Sequence, residues 1–316
     1  MDEKTIYWGE KRYHSLDYEL KKRFGEKLYK LSLNGGMSCP NRDGTLGTRG
    51  CIFCSKGGSG DFAANASFSI TEQIEQAKKL VEHKHSGSSY IAYFQAYTNT
   101  YAPVDYLRKI FFEAITHPDI RILSIATRPD CLNEDILSLL GELNQIKPVW
   151  VELGLQTIHE DTAKFIRRGY SLPVFTKAVS DLRKYQIETI VHVILGLPGE
   201  DRKRMSETIS YLNSMDIQGI KLQLLHILKN TDLADYYTKH PFPILTMQEY
   251  FDIIGMCISH LKPEIVVHRL TGDGPKALLI APEWSKNKRQ VLNQMQKYLK
   301  VNNLWQGKEF SYGTRI

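Results

Sequence analysis

Short β-rich runs and amphipathic helical stretches take turns along most of this sequence. The strand-like runs are 27–34, 89–95, 120–126, 149–155, 189–195 and 220–227. The stretches 71–82, 104–116, 134–144, 159–166, 173–185 and 202–212 carry apolar residues at helical spacing. A strand followed by a helix before the next strand signals a βα unit, and a series of them builds a parallel sheet. Six such units are fewer than the eight that close a barrel. With 42% hydrophobic residues the chain can bury one large core. Outside the units, 16–24 predicts a helix before the first strand. A helix at 246–260, a strand at 264–270 and a basic helix at 285–300 are predicted after the last. The chain divides into an N-terminal extension (1–26), a core (27–230) and a C-terminal extension (231–316).

After the first strand run comes the loop NGGMSCPNRDGTLGTRGCIFCSKGGSG, 34–60, which holds Cys39, Cys51 and Cys54. Eleven residues separate the first two cysteines and two separate the last pair. Thiolates this close in a Gly-, Asn- and Ser-rich loop suggest a metal site. Structural zinc wants four closed ligands, usually as two pairs, and the loop has no second pair and no His. Three thiolates suit a [4Fe–4S] cube, leaving one iron open to another ligand. On the cysteines alone, the cluster and a zinc completed by a distant residue stand about level. Five cysteines in all, three of them clustered, argue against a secreted disulfide framework.

The neighbours of the thiols carry a family resemblance. A strand leads into the three cysteines, and Phe53 directly precedes the last. This resembles the radical S-adenosylmethionine (SAM) superfamily. The phrase CPNRDGT with a downstream GCIFC is most similar to its YhcC/YtqA-type branch, which is related to the catalytic subunit of Elongator. The resemblance runs over nearly the whole chain. It implies a partial (β/α)6 TIM-like barrel of the radical SAM type, a [4Fe–4S] cluster on Cys39, Cys51 and Cys54, and SAM bound at its free iron. It also implies an enzyme that cleaves SAM reductively to a 5′-deoxyadenosyl radical, with a reducing partner such as flavodoxin or ferredoxin.

In such a barrel the chemistry lies at the C-terminal strand ends. The second run ends in QAYTNT, where the family holds the methionine amino group of SAM; Gln95 stands there without the family's glycines and acid. The third ends in TRPD, similar to the Elongator-like group, although a buried Arg128–Asp130 pair is an equally good structural explanation. In VWVELGLQT, period two puts Glu152, Gly154 and Gln156 on one face. A carboxylate and an amide in an apolar strand need polar partners, and the resemblance assigns them to the SAM ribose and methionine. Arg168 in RRGY resembles an arginine that pairs with the SAM carboxylate. Gly196 in LGLPGE falls where the family lines the adenine. His226, Lys229 and Arg269 follow later strands and are weaker candidates for substrate contact. Cys131 and Cys257 lack partners for a second cluster.

A net charge of +6 and a pI near 8.9 permit an anionic partner such as RNA. The aromatic and basic residues of 1–26 could stack bases, but packing over a barrel end is the stronger expectation. In 285–300, Lys286, Lys288 and Arg289 are left for solvent and could hold a tRNA backbone. No apolar run of membrane length and no signal-peptide core are present, so a cytoplasmic protein is expected. The Elongator-like resemblance points to tRNA as substrate, through remodelling of a wobble-uridine side chain. A small-molecule or porphyrin-like substrate is the competing enzyme reading, and a zinc-containing RNA-binding protein the competing non-enzyme one.

Overall fold

The computed structural model describes residues 7–58, 60, 63–82, 87–272 and 274–312. Ser59 of the cysteine loop and Asp273 after the late strand lie outside them. A helix α1 (Leu16–Phe24), capped by Ser15, precedes the first strand, β1 (Tyr29–Leu33). Then come α2 (Ile70–Val81), β2 (Tyr90–Phe94), α3 (Val104–Thr116), β3 (Ile120–Thr127), α4 (Glu134–Asn144) and β4 (Val149–Gln156). They are followed by α5 (Glu160–Phe165), α6 (Leu172–Lys184), β5 (Glu188–Leu195), α7 (Arg202–Asn213) and β6 (Gly219–Leu224). The C-terminal part adds β7 (Ile227–Leu228), α8 (Asp232–Lys239), α9 (Met247–His260), β8 (Val266–Arg269), β9 (Leu279–Ala281) and α10 (Lys288–Val301).

Seven strands form one parallel sheet in the order β1-β2-β3-β4-β5-β6-β8. The expected six-strand core is thus extended by β8, so the sheet crosses the boundary expected at 230/231. The sixth strand also ends earlier than expected. Leu225 and His226 leave the sheet, and Ile227–Leu228 pairs antiparallel with β9.

Alternation along the strands separates two surfaces. Leu31, Phe94, Ile125, Val151, Val193 and Leu222 belong to the main core, which also takes in the buried faces of α2–α4, α6, α7 and α9. The opposite surface carries Lys30, Tyr93, Ser124, Glu152, His192 and Lys221. That it is concave follows from distance. β1 and β4 lie three strands apart, about 14 Å in a flat sheet at about 4.8 Å per strand. Yet Lys30 of β1 reaches Glu152 of β4 at 2.6 Å. The sheet must curl to allow it.

One end of the curl is closed by α1. Leu20 packs with Leu28, Ile91, Ile122, Trp150 and Ile190 in a separate apolar cluster. Packing accounts for Trp8 and Tyr13, both buried, and for Phe24, which packs on this cluster, while Tyr7 is 53% exposed. On α10, Val291, Met295 and Leu299 are buried at helical spacing, as its apolar pattern predicts. No helix among the described residues is long and apolar enough to cross a membrane.

Candidate active site

The cysteine loop leaves β1 and is tied down at both ends. Thr98 N–H donates to the Ser38 carbonyl at 3.2 Å, and Ile52 N–H donates to the Ile166 carbonyl at 3.2 Å. Leu233 N–H in turn donates to the Ile52 carbonyl at 2.8 Å. Side chains complete the frame. Asn41 Nδ2 donates to the Arg167 carbonyl at 2.8 Å and sits 3.5 Å from Cys51 Sγ. Arg42 Nη2 donates to the carbonyls of Ser55 and Cys54 at 2.6 and 3.2 Å. Two glycines are required by this packing. Gly58 has φ +56°, and a Cβ there would lie 2.2 Å from the Tyr97 ring. Gly169 has φ +82°, and its Cβ would meet Asn41 Oδ1 at 2.7 Å.

Cys39, Cys51 and Cys54 line a cavity of about 270 Å³ at the C-terminal ends of the strands. Phe53, Gln95, Glu152, Gln156 and Arg168 line the same cavity, so the fold gathers residues from four separate stretches. Gly196 does not line it; the φ +85° backbone there turns the Cβ position toward Leu245, 2.8 Å away. Lys229 is likewise not among the lining residues, whereas His226 and Arg269 are.

The donor set fits a cluster. Burial pushes the Cys51 thiol up to about 12, and the Cys54 and Cys39 sulfurs push it the same way, against Asn41 and Arg128. Sulfurs that repel one another need a metal centre to hold them as thiolates. They are also spread out. Among the described residues, the group whose ligand atoms all approach within 4.8 Å is Glu75, His117 and Asp119, not the thiols. Zn–S bonds of about 2.3 Å at tetrahedral angles would bring sulfurs to about 3.8 Å. The three thiols do not all lie within 4.8 Å of one another, so they are not gathered as a closed zinc site.

Above Glu152, β4 carries a bulge between Gly154 and Gln156, and Gln156 takes φ 66°. Its Oε1 is buried with no hydrogen-bond partner among the described residues. A strained residue with an unmet acceptor is what a polar ligand would complete. Gly154 makes room for it, since a Cβ there would lie 2.8 Å from Gln156 Nε2. The Tyr170 hydroxyl donates to the Gly154 carbonyl from the other side. Gln95 accepts from Ser32 Oγ at 3.0 Å and keeps its place on the wall.

Two residues expected at SAM are occupied by the protein itself. Arg168 is 2% exposed, and its guanidinium donates to Tyr170 O (2.9 Å), Thr157 O (2.6 Å), Leu155 O (3.3 Å) and Glu160 Oε1 (3.1 Å). It braces the turn after β4 with four of its five N–H groups. Arg128 holds Asp130 bidentately at 2.9 and 2.7 Å, the structural alternative for TRPD. Glu152 has both oxygens engaged. Oε1 accepts from Lys30 (2.6 Å) and Ser124 (2.8 Å); Oε2 accepts from His192 (2.8 Å) and Lys221. Its polar partners are side chains of the sheet, not nucleoside hydroxyls. Burial would raise its pKa, but Lys221 and Lys30, with the His192 bond, hold it well below the usual carboxylate range. Burial and then Lys221 push His192 down to about 4, so it is neutral.

Sequence reasoning passed over Lys30, Tyr93, His192 and Lys221. The available signal was their shared parity: each faces the side of its strand opposite the apolar core.

The radical SAM superfamily model matches residues 44–212, and the Radical_SAM C-terminal domain model matches 217–301. The uncharacterized protein YtqA of Bacillus subtilis (strain 168) is 46% identical over 301 residues, covering 95% of this chain and 94% of its own length. Protein YhcC of Escherichia coli (strain K12) is 36% identical over 282 residues, 89% of this chain and 90% of its own. A tRNA uridine(34) acetyltransferase of Methanocaldococcus jannaschii is 24% identical over 161 residues, 50% of this chain but 29% of that protein. Among solved structures, the archaeal Elp3 of Methanocaldococcus infernus superposes with a TM-score of 0.67 at 16% identity. It is matched over 88% of this chain and 64% of that one, a likeness of fold. With the superfamily model spanning more than half of the sequence, this chain belongs to the radical SAM superfamily, enzymes that work with a [4Fe–4S] cluster and SAM.

Proposed function

We propose that Cys39, Cys51 and Cys54 hold the cluster, that SAM lies over the end of β4, and that the enzyme remodels a substituent of the wobble uridine in tRNA. The observation that carries the substrate is the relationship, over half of this chain, to proteins named tRNA uridine(34) acetyltransferases. When bound, the cluster and SAM supply a 5′-deoxyadenosyl radical that abstracts a hydrogen atom.

The chain's own residues position and shield. Gln156 offers its unmet amide oxygen to the amino or hydroxyl groups of SAM, and Gln95 a second amide on the opposite wall. Phe53 packs against Ile52, Ile166, Ile194 and Leu225, a dry flank that keeps water from the reacting atoms. Arg42 and Asn41 fix the loop so that the thiols need little reorganisation to bind metal. An electron is delivered by a small protein donor such as flavodoxin or ferredoxin. The core of 27–230 carries this chemistry and the segments 1–26 and 231–316 the substrate side. Lys11, Lys27 and Lys288 line a second cavity of about 320 Å³ beside α1.

Nucleoside mass spectrometry of total tRNA from cells lacking the protein tests the substrate. A wobble-uridine derivative should disappear and its precursor accumulate; an unchanged nucleoside profile overturns the tRNA assignment.

A further inference from the structure

The floor of the cavity holds a charge imbalance that the cluster and SAM do not use. Lys30 and Lys221 share one carboxylate, Glu152, whose side chain is fully buried; Lys221 is 4% exposed. Lys221 also donates to the Tyr93 hydroxyl at 3.3 Å, and both ammonium groups stand over the Tyr93 ring. His192 is neutral and spends its Nε2 on the same carboxylate. A bulge between Ile220 and Lys221 brings Arg269 of β8 into register with Lys221, and Arg269 lines the same cavity. Glu152 is the one acidic residue among the described residues that line it.

Lys30 keeps 22% of its side chain exposed, but burying Lys221 beside a carboxylate that it shares with a second cation is costly unless its charge is well matched. Burial pushes Lys221 well below the usual lysine range against the pull of Glu152, and a second anion beside it would pull it back up. SAM brings a carboxylate of its own, but in the proposed function SAM lies at the cysteine loop and over the end of β4. Lys221 lines the cavity in the layer of Glu152, below Gln156 of the same strand as Glu152, and Lys30 reaches that carboxylate from β1. A flexible acidic substituent reaching down past SAM meets them.

We propose that Lys221, with Lys30, forms an anion-binding subsite that receives a carboxylate borne by the substrate. The subsite deepens the uridine assignment, on which the identity of the carrier rests: the remodelled substituent ends in, or contains, a carboxylate. Glu152 sets its strength. It neutralises one lysine of the pair and orients both, leaving one positive charge on the pair for an incoming carboxylate.

The test uses the full chain with its cluster and SAM bound, and two probe pairs that differ in charge: propionate against propionamide, and 5-carboxymethyluridine against its methyl ester. Binding is read by calorimetry. Wild type should prefer the acid of each pair at least tenfold. Lys221→Gln should erase the preference and Lys221→Arg should keep it, while SAM affinity moves less than twofold in both. Glu152→Gln, which keeps the shape and removes the competing charge, should sharpen the preference. Equal binding of acid and neutral partner by wild type overturns the subsite, as does a preference that survives Lys221→Gln. If SAM affinity falls tenfold in Lys221→Gln, the lysine serves the cofactor and the proposal also fails. Lysine-dependent propionate binding with no discrimination between the nucleosides upholds the subsite and sinks the uridine assignment.

Discussion

Cys39, Cys51, Cys54 and Arg168 border one cavity, and their replacement should have opposite consequences. Changing any of the three cysteines to Ala should abolish both the binding of about four irons per chain and reductive SAM cleavage. Cys257→Ala, buried in α9 away from the cavity, should leave both intact; iron and sulfide analysis after anaerobic preparation decides this. Arg168→Ala should act on stability. It strands three backbone carbonyls in a buried site, so it should cost about 3 kcal/mol or more and lower the unfolding midpoint. Gln156→Ala is the cofactor test: near-normal iron with SAM affinity down about threefold to tenfold, the worth of one neutral hydrogen bond. His192 links the floor to pH. Its folded value of about 4 lies below the ordinary 6.5, so the unfolded chain binds the proton first. The stability that neutral His192 confers is complete above about pH 6.5 and is lost as pH falls toward 4. Urea midpoints should decline more steeply across that window for wild type than for His192→Gln.

At the scale of elements, the cysteine loop depends on the turn after β4. Gly169→Ala combines a strained left-handed conformation, about 1–2 kcal/mol, with a collision against Asn41. Its expected outcome is faster cluster loss in air with the helices and sheet intact, measured as decay of the cluster absorbance beside an unchanged circular dichroism spectrum. Period-two and helical patterns made nearly every strand and helix of this fold legible, because each was decided within a dozen residues. The three thiols and Gln156 were legible for a related reason, their motif or parity being local. What escaped was what curvature decides. β8 looked like a separate late strand since nothing in 264–270 records its pairing with β6. His192 and Lys221 looked like single polar residues in apolar runs; His192 meets Glu152 from the neighbouring strand and Lys221 from two strands away, while Lys30 meets it only through the curl. For Arg168 the motif records an arginine's place and not the carbonyls that take up most of its donors.

For the molecule as a whole, the two terminal segments meet. Lys288 at the start of α10 lines the second cavity with Lys11 and Lys27, while Lys286 is paired with Glu283 at 2.8 Å. Neutralising Lys11, Lys27 and Lys288 together should weaken tRNA binding and reduce its logarithmic salt slope by about two to three units. Filter binding across a salt series checks this; a slope equal to wild type would assign the basic face to solvation alone. The long-range ties of the cysteine loop bear on how the protein is made. The loop lies near the start of the chain, but its backbone is fastened to Ile166 and to Leu233. At synthesis rates of about 5–20 residues per second, Cys51 leaves the ribosome roughly ten to forty seconds before Leu233. Through that interval the thiols have no finished pocket, so cluster delivery is timed after translation of most of the chain, and the nascent cysteines need protection from oxidation until then.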